Sequence, residues 1–233
     1  MKQLLRHLDQ LLRGNFTRDE DLREGRVPVP SRWLVGACLL CGAFYGLCMG
    51  LYAASGDIQG GAQQFVSSAV KVPMLFLFTL LVTFPSLYVF AALAGSRLRM
   101  HDMLRLLVST ITVNLAVVAS FGPVIIFFTV FTTSHAFISL LNVLFFALSG
   151  AVSLGFLSRA TRVVFETDPG KQGRARSIFR AWILIYGVVG AQMGWVLRPF
   201  VGNPNLEFVW FRHHRESNIF AALLDLFRDI GGW

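Results

Sequence analysis

Four polar side chains near the predicted outer ends of apolar segments are the best candidates for chemistry in this sequence: Lys71, Asn142, Gln192 and Arg198. Asn142 and Gln192 lie about five and six residues inside their apolar runs, which at 1.5 Å per residue is a depth of roughly 8–9 Å. Lys71 and Arg198 flank the same level. Two cations and two amides in a low-dielectric setting can bind an anionic headgroup or a partner's carboxylate. The spacing therefore predicts a polar pocket that opens to the outer side.

A purely structural role explains the same four residues, and their types favour it. Asn142 and Gln192 can form hydrogen bonds between helices, because an amide inside a membrane needs a protein partner. Lys71 and Arg198 can extend their charged ends to lipid phosphates. The sequence leaves both interpretations open.

Metal binding and catalysis find little support in the sequence. His135, Glu207, His213 and His214 all fall in predicted outer segments, but adjacent histidines do not easily face one ion, and no H-x-x-x-H spacing occurs. Searches for a P-loop, G-x-G-x-x-G, G-x-S-x-G or H-E-x-x-H motif find none. We therefore expect no metal, no cofactor and no enzymatic activity.

The cysteines and the charge pattern exclude further classes. Cys38, Cys41 and Cys48 lie in one apolar run, where burial disfavours the thiolate, so we interpret them as packing residues. The apolar runs contain no Asp, Glu, Lys or Arg, which argues against proton pumps and voltage sensors because these need charged groups inside the membrane. A channel lined by hydroxyls, or a path for lipid, stays possible.

Five uncharged apolar runs must position these residues. They cover residues 33–54, 72–95, 106–131, 137–157 and 181–197. A helix needs about 20 apolar residues to cross a bilayer, and a soluble core helix is rarely apolar all round for so long. The sequence predicts an all-α fold: a polytopic transmembrane bundle of five spans, with amphipathic interfacial helices at both termini.

The distribution of charge predicts the orientation of these spans. The 233 residues carry a net charge of +8 but only 15% charged residues, whereas soluble domains average about 25%. Sixteen of the 21 Lys and Arg residues lie in segments 1–32, 96–105 and 158–180, and the last of these is predicted to be the largest inner loop. Basic segments stay cytoplasmic, so we predict a cytoplasmic N-terminus, an external C-terminus and a bacterial inner membrane. The positive charge then indicates contact with anionic lipid, not nucleic acid.

Three regions follow from this pattern: a cytoplasmic helix and linker (1–32), a five-helix transmembrane domain (33–199) and an external tail (200–233). The amphipathic helix over residues 1–16 can lie on the cytoplasmic leaflet or dock onto a partner or the inner loops. Ser217 can cap a final amphipathic helix in the tail. Trp33, Trp195 and Trp210 are predicted interfacial residues.

Glycine and proline predict how the spans pack and bend. Glycines every four residues, which permit close helix approach, occur in the first and fifth spans: Gly42, Gly46, Gly50, Gly190 and Gly194. Packing of these two spans on each other, or self-association, is the natural use of such stripes, although the partner helix stays open. Pro73 is expected in the first turn of the second span, and Gly122-Pro123 should bend the third. The short connection Thr132–Ala136 makes spans three and four antiparallel neighbours.

Two stretches, Lys71–Tyr88 and Gly190–Phe200 (GAQMGWVLRPF), resemble a family of uncharacterised bacterial polytopic membrane proteins. The resemblance implies a five-span fold and a membrane location, but it brings no activity with it. A weaker likeness in topology alone links the chain to Yip-type proteins. We therefore interpret the chain as a non-catalytic membrane subunit or scaffold that binds lipids, other membrane subunits or itself. The alternative is a transporter, channel or lipid-handling protein with an outer polar pocket.

Overall fold

The computed structural model describes residues 2–14, 20–21, 30–54, 61–93, 99–132, 134–165, 169–198, 200–201 and 210. The described residues include seven helices: α1 (Lys2–Leu12), α2 (Ser31–Ala54), α3 (Gly61–Leu93), α4 (Met100–Ser120), α5 (Gly122–Phe131), α6 (His135–Phe165) and α7 (Pro169–Leu197). Among the described residues, five segments are long and apolar enough to cross a membrane: Ser31–Ala54, Gly61–Leu93, Met100–Phe131, Phe137–Val163 and Arg180–Leu197. The predicted all-α bundle is confirmed, and the chain is a polytopic integral membrane protein. The helix predicted after Ser217 lies outside the described residues.

The five spans form a ring in the order α2, α3, α7, α6, α4. Helix α2 packs on α3, α4 and α5, while α7 packs on α3 and α6 packs on α4. A smaller contact between α6 and α7 closes the ring. Half of the α2 span is buried, compared with 11% of the α7 span, so α2 is enclosed and α7 is peripheral.

The glycine stripe of α2 brings α2 and α3 into backbone contact. A Cβ atom added at Gly42, Gly46 or Gly50 would lie 2.9 Å, 2.7 Å or 2.7 Å from atoms of Pro73, Ala69 and Phe65, respectively. Only glycine permits such an approach, which increases the packing area between the two helices. The stripe therefore faces α3.

The glycines of α7 also face α3, and not α2. A Cβ atom at Gly190 would lie 3.5 Å from Thr79, and one at Gly194 would lie 3.9 Å from Leu75. These are ordinary contact distances, so α7 approaches α3 less closely than α2 does. The first and fifth spans therefore both pack on neighbouring stretches of the second span and not on each other, while self-association through either glycine stripe stays a prediction.

The third span is interrupted where the sequence predicts a bend. Helix α4 ends at Ser120 and α5 begins at Gly122, with Pro123 in its first turn. Proline lacks the N–H that would continue the helical hydrogen bonds, so the break follows from its chemistry. The connection to α6 is as short as predicted, and the rings of Phe128 and Phe137 meet across it at 5.3 Å.

Helix α3 begins earlier than the apolar pattern predicts. It starts at Gly61, so Pro73 lies inside the helix rather than in its first turn, and Lys71 is about 15 Å along the axis. The ten residues before Lys71 include polar side chains that the hydropathy pattern assigned to an outer segment. Three of these polar residues, Gln64, Ser67 and Ser68, are buried in the structure.

The basic segment 158–180 is largely helical as well. Helix α6 extends to Phe165 and α7 begins at Pro169, which corrects the prediction of a long inner loop. Basic side chains at helix ends can leave the membrane while the backbone stays helical. Hydropathy marks where a helix leaves the hydrocarbon and not where it ends.

Helix α1 docks on the bundle. It contacts α2 and α4, Leu11 is fully buried, and the ring of His7 lies 5.2 Å from that of Trp33. Of the two placements left open by the sequence, the structure supports docking onto the chain itself. Leu12 is half exposed, so part of the apolar surface of α1 can contact lipid.

Candidate functional site

A buried polar face lies near the start of α3. It consists of Gln64, Ser68 and Lys71, which follow one another at intervals of four and three residues and therefore share one side of the helix. Their exposed fractions are 3%, 0% and 2%. We call these three residues the α3 polar face. Polar groups buried this deeply need hydrogen-bond partners, and the structure supplies them from the segment after α7.

Gln64 and Ser68 both bind the backbone carbonyl of Phe200. The Gln64 Nε2 atom donates to this oxygen at 3.0 Å and to the Ser68 Oγ atom at 3.1 Å. The Ser68 Oγ atom lies 2.5 Å from the Phe200 oxygen and 2.9 Å from the Gln64 carbonyl oxygen. A hydroxyl has one proton, so Ser68 donates to one of these oxygens at a time. Either way, the Phe200 backbone is fixed beside α3.

Lys71 fixes a second point of the same segment. Its Nζ atom donates to the carbonyl oxygen of Trp210 at 2.5 Å and lies 6.0 Å from the centre of the Trp210 ring. A hydrogen bond from an ammonium group is stronger than a neutral one, and the face of an indole ring adds electrostatic attraction. The lysine thus meets a protein carbonyl where the sequence suggested a lipid phosphate.

Asn142 joins α6 to α2. It is buried, its Oδ1 atom accepts a 2.7 Å hydrogen bond from the Tyr45 hydroxyl, and its Nδ2 atom donates to the Ile138 carbonyl at 2.8 Å. The Tyr45 ring also packs edge-on against Phe146, with centroids 5.3 Å apart. This contact matches the structural interpretation of Asn142 as a hydrogen-bonding residue between helices.

Arg198 and Gln192 occupy different surroundings. The guanidinium carbon of Arg198 lies 3.5 Å from the ring centre of Trp195, which is a stacked cation–π arrangement. Gln192 is half buried, and its Oε1 atom accepts no hydrogen bond within the part of the chain that the structure describes. Convergence of these two with Lys71 and Asn142 on one anion stays a prediction, as do the interfacial roles of Trp33, Trp195 and Trp210.

Four threonine hydroxyl groups inside the spans donate to carbonyl oxygens of their own helices. Thr79 and Thr83 of α3 donate to carbonyl oxygens four residues earlier, at 2.6 Å and 2.8 Å. Thr110 and Thr112 of α4 do the same at 2.9 Å and 2.8 Å. Such bonds satisfy a hydroxyl without a neighbour or a water molecule. These four groups therefore do not need an aqueous path to satisfy them.

Several functional candidates were missed by the sequence analysis. Gln64 and Ser68 were assigned to an outer segment, although their spacing to Lys71 already placed all three on one helical face. Tyr45 is the partner of Asn142, and no local pattern could have identified a pair 97 residues apart. Asn114 was overlooked, even though it is an amide near the centre of the third apolar run.

Comparison of the chain with protein family models, curated proteins and solved structures gave no match. The resemblance inferred from Lys71–Tyr88 and Gly190–Phe200 therefore stays a prediction.

Proposed function

We propose that the chain is a non-catalytic integral membrane subunit or scaffold that binds partner proteins or lipids. The observation that supports it is that several polar groups inside the spans form hydrogen bonds within the chain. Lys71 holds the segment at Trp210, Asn142 holds Tyr45, and Thr79 bonds to its own helix. A transporter or channel presents polar groups to a solute, whereas these groups are bound to the chain itself.

The proposed partners are membrane lipids, other membrane subunits or a second copy of the chain, and not nucleic acid. Trp210 is held beside α3 by its carbonyl group while 49% of the residue is exposed. A tryptophan on a fixed backbone is well suited to bury in a partner, because little conformational entropy is lost on binding. The α3 polar face then serves to present this residue.

Purification from membranes in mild detergent, followed by native mass spectrometry, tests this function. We expect the wild-type chain to carry stoichiometric protein subunits or a second copy, and Trp210→Ala to lose them. Leu81→Ala is the control, because Leu81 is 70% exposed on the apolar surface of α3. A wild-type chain that is monomeric and without protein partners would argue against the scaffold.

A transporter, channel or lipid-handling protein is the second candidate, and one observation favours its lipid-handling form. An apolar cavity of about 220 Å³ lies between α4, α6 and α7, within the membrane-spanning part. A cavity of this kind accommodates apolar chains far better than ions or polar solutes. Bound lipid in that cavity, without protein partners, would favour this candidate over the scaffold.

We further propose a bacterial inner-membrane location with the N-terminus in the cytoplasm and the C-terminus outside. The charge distribution and the five candidate spans support this orientation. Single cysteines introduced by Gly25→Cys and Gly232→Cys, in a chain without its native cysteines, should react with impermeant maleimide from opposite sides. If both cysteines react from the same side, the chain crosses the membrane an even number of times, which would contradict the proposed five-span topology.

A further inference from the structure

Helix α1 meets the first turns of α2 and α4 at one end of the bundle. It contacts both of these helices, and the ring of His7 lies 5.2 Å from that of Trp33. The Arg105 Nε atom donates a hydrogen bond to the Ser31 Oγ atom at 3.2 Å, which joins the start of α4 to the start of α2. The three helices therefore form one junction, and α1 is held at the level where the two spans begin.

Three exposed arginines lie at this junction, one on each side of the α1 contact and one at the start of α4. Arg6 and Arg32 directly precede the two residues whose rings are in contact. Arg99 is the N-cap residue of α4 and lies about 9 Å along the helix axis from Arg105. We call Arg6, Arg32 and Arg99 the junction arginines.

The acidic side chains of α1 and α4 are paired with other arginines. Asp9 forms an ion pair with Arg13 at 2.8 Å, and Asp102 forms one with Arg105 at 3.5 Å. The junction arginines form no ion pair with any residue that the structure describes. Three like charges without a counter-charge create a positive local potential, so this surface attracts an anion.

The junction arginines lie at the level of lipid headgroups. Arg32 is the second residue of the first span, and Arg99 directly precedes the third. On the same three helices, apolar residues near this end are between 39% and 50% exposed: Leu12, Val35 and Met100. Basic groups beside exposed apolar groups match both parts of a phospholipid, its phosphate and its acyl chains. A soluble polyanion would leave the apolar part without a partner.

We propose that the junction arginines bind the headgroup of an anionic phospholipid, whose acyl chains lie along the exposed apolar residues of α2 and α4. This inference rests on the lipid partner of the proposed function and names its headgroup class and its place in the fold. In the proposed orientation this end of the bundle meets the cytoplasmic leaflet, where anionic lipids attract basic groups. Arginine suits the role, because its planar guanidinium group donates two parallel hydrogen bonds to a phosphate. Docked α1 is part of the site, since it brings Arg6 to the two spans.

Native mass spectrometry of the purified full chain in mild detergent, titrated with one lipid at a time, tests the site. The probes are dioleoyl phosphatidylglycerol and dioleoyl phosphatidylcholine, which share their acyl chains and phosphate and differ in net charge. Each basic residue near an anionic headgroup strengthens binding by a factor of about five. We therefore expect the wild-type chain to bind phosphatidylglycerol more tightly than phosphatidylcholine by about tenfold or more.

Two triple variants connect this preference to the junction. Replacing all three junction arginines with glutamine should lower the affinity for phosphatidylglycerol by about tenfold or more and leave that for phosphatidylcholine unchanged. The matched control removes the same charge from exposed positions of α6 and α7 and should keep the wild-type preference: Arg159→Gln, Arg162→Gln and Arg180→Gln. If the first variant unfolds at a lower temperature than the wild type, Arg99→Gln alone, with an expected loss of about fivefold, gives the same test.

Three results would overturn the proposal. Equal affinity of the wild-type chain for the two lipids would show that it selects no anionic headgroup. An equal loss in both triple variants would show that net charge, and not this junction, attracts the lipid. Displacement of phosphatidylglycerol by soluble hexaglutamate would assign the surface to an acidic segment of a partner protein. The same spectra report bound protein subunits, so a chain that has none and still selects phosphatidylglycerol would contradict the scaffold and support this inference.

Discussion

Replacing Gly46 with leucine is expected to prevent stable packing of α2 on α3. Even a Cβ atom at this position would lie 2.7 Å from the Cα atom of Ala69, which is backbone and cannot rotate away. Overpacking of a core typically costs about 1–3 kcal/mol, and we expect the upper end or more here because two helix backbones must separate. The contact between α2 and α3 is the most extensive helix contact of the described bundle, so loss of this contact affects the whole fold.

The yield of monodisperse protein in mild detergent and its thermal unfolding midpoint measure this effect. Gly36→Leu is a close control, since it makes the same substitution in the same helix where a Cβ atom meets nothing within 4 Å. We expect Gly36→Leu to behave like the wild type and Gly46→Leu to aggregate or melt far earlier. Equal behaviour of the two variants would show that the close approach of α2 and α3 does not contribute to stability.

Replacing Lys71 with methionine should release Trp210 and leave the bundle folded. The substitution removes the ammonium group that donates to the Trp210 carbonyl but keeps an apolar chain of similar length. A hydrogen bond from a charged group contributes about 1.5–3 kcal/mol, so the ratio of released to held segment should rise about 10- to 100-fold. The thermal midpoint of the bundle should stay unchanged or rise, because the variant no longer buries an ammonium group.

A spin label on Trp210→Cys, in a chain whose native cysteines are replaced by alanine, reports this release. The cysteine substitution keeps the backbone carbonyl that Lys71 binds, so the hydrogen bond survives in the labelled reference. Val70→Met is the control, because Val70 is the neighbouring residue and is exposed. Equal mobility of the spin label in the reference and in Lys71→Met would mean that Lys71 does not hold the segment at position 210.

Hydropathy predicted the number and approximate position of the spans because membrane crossing depends on the summed apolar character of many residues. The Gly122-Pro123 pair predicted the interruption of the third span, because proline cannot continue the helical hydrogen bonds. The short gap between the third and fourth apolar runs predicted the short connection before α6. Hydropathy failed at the start of α3 and in the segment 158–180, where helices continue through polar sequence. Outside the hydrocarbon, the position at which a helix ends depends on its hydrogen bonds and its packing, and hydropathy measures neither.

The candidate site was predicted only in part. The sequence identified Lys71, at the edge of the second apolar run, and Asn142, inside the fourth, as polar residues with a binding or hydrogen-bonding role. Their partners, the Trp210 carbonyl and the Tyr45 hydroxyl, are 139 and 97 residues away in the sequence. A backbone carbonyl has no side-chain signature, so no sequence pattern could have shown that Lys71 binds one. Sequence position gives the depth of Lys71, Asn142, Gln192 and Arg198 but not the helix face on which each lies, so their convergence on one anion stays a prediction.

Water accessibility along α3 is the most direct test of the central claim that polar groups such as those of Thr79 and Thr83 are hydrogen-bonded within the chain and do not line an aqueous path. Thr79→Cys and Thr83→Cys replace buried hydroxyls that bond to their own helix. In a chain without native cysteines, a membrane-impermeant methanethiosulfonate should modify neither position from either side, while Trp210→Cys, which is exposed, should react. Modification of both threonine positions would reveal an aqueous path through the bundle and contradict the account in favour of a transporter or channel.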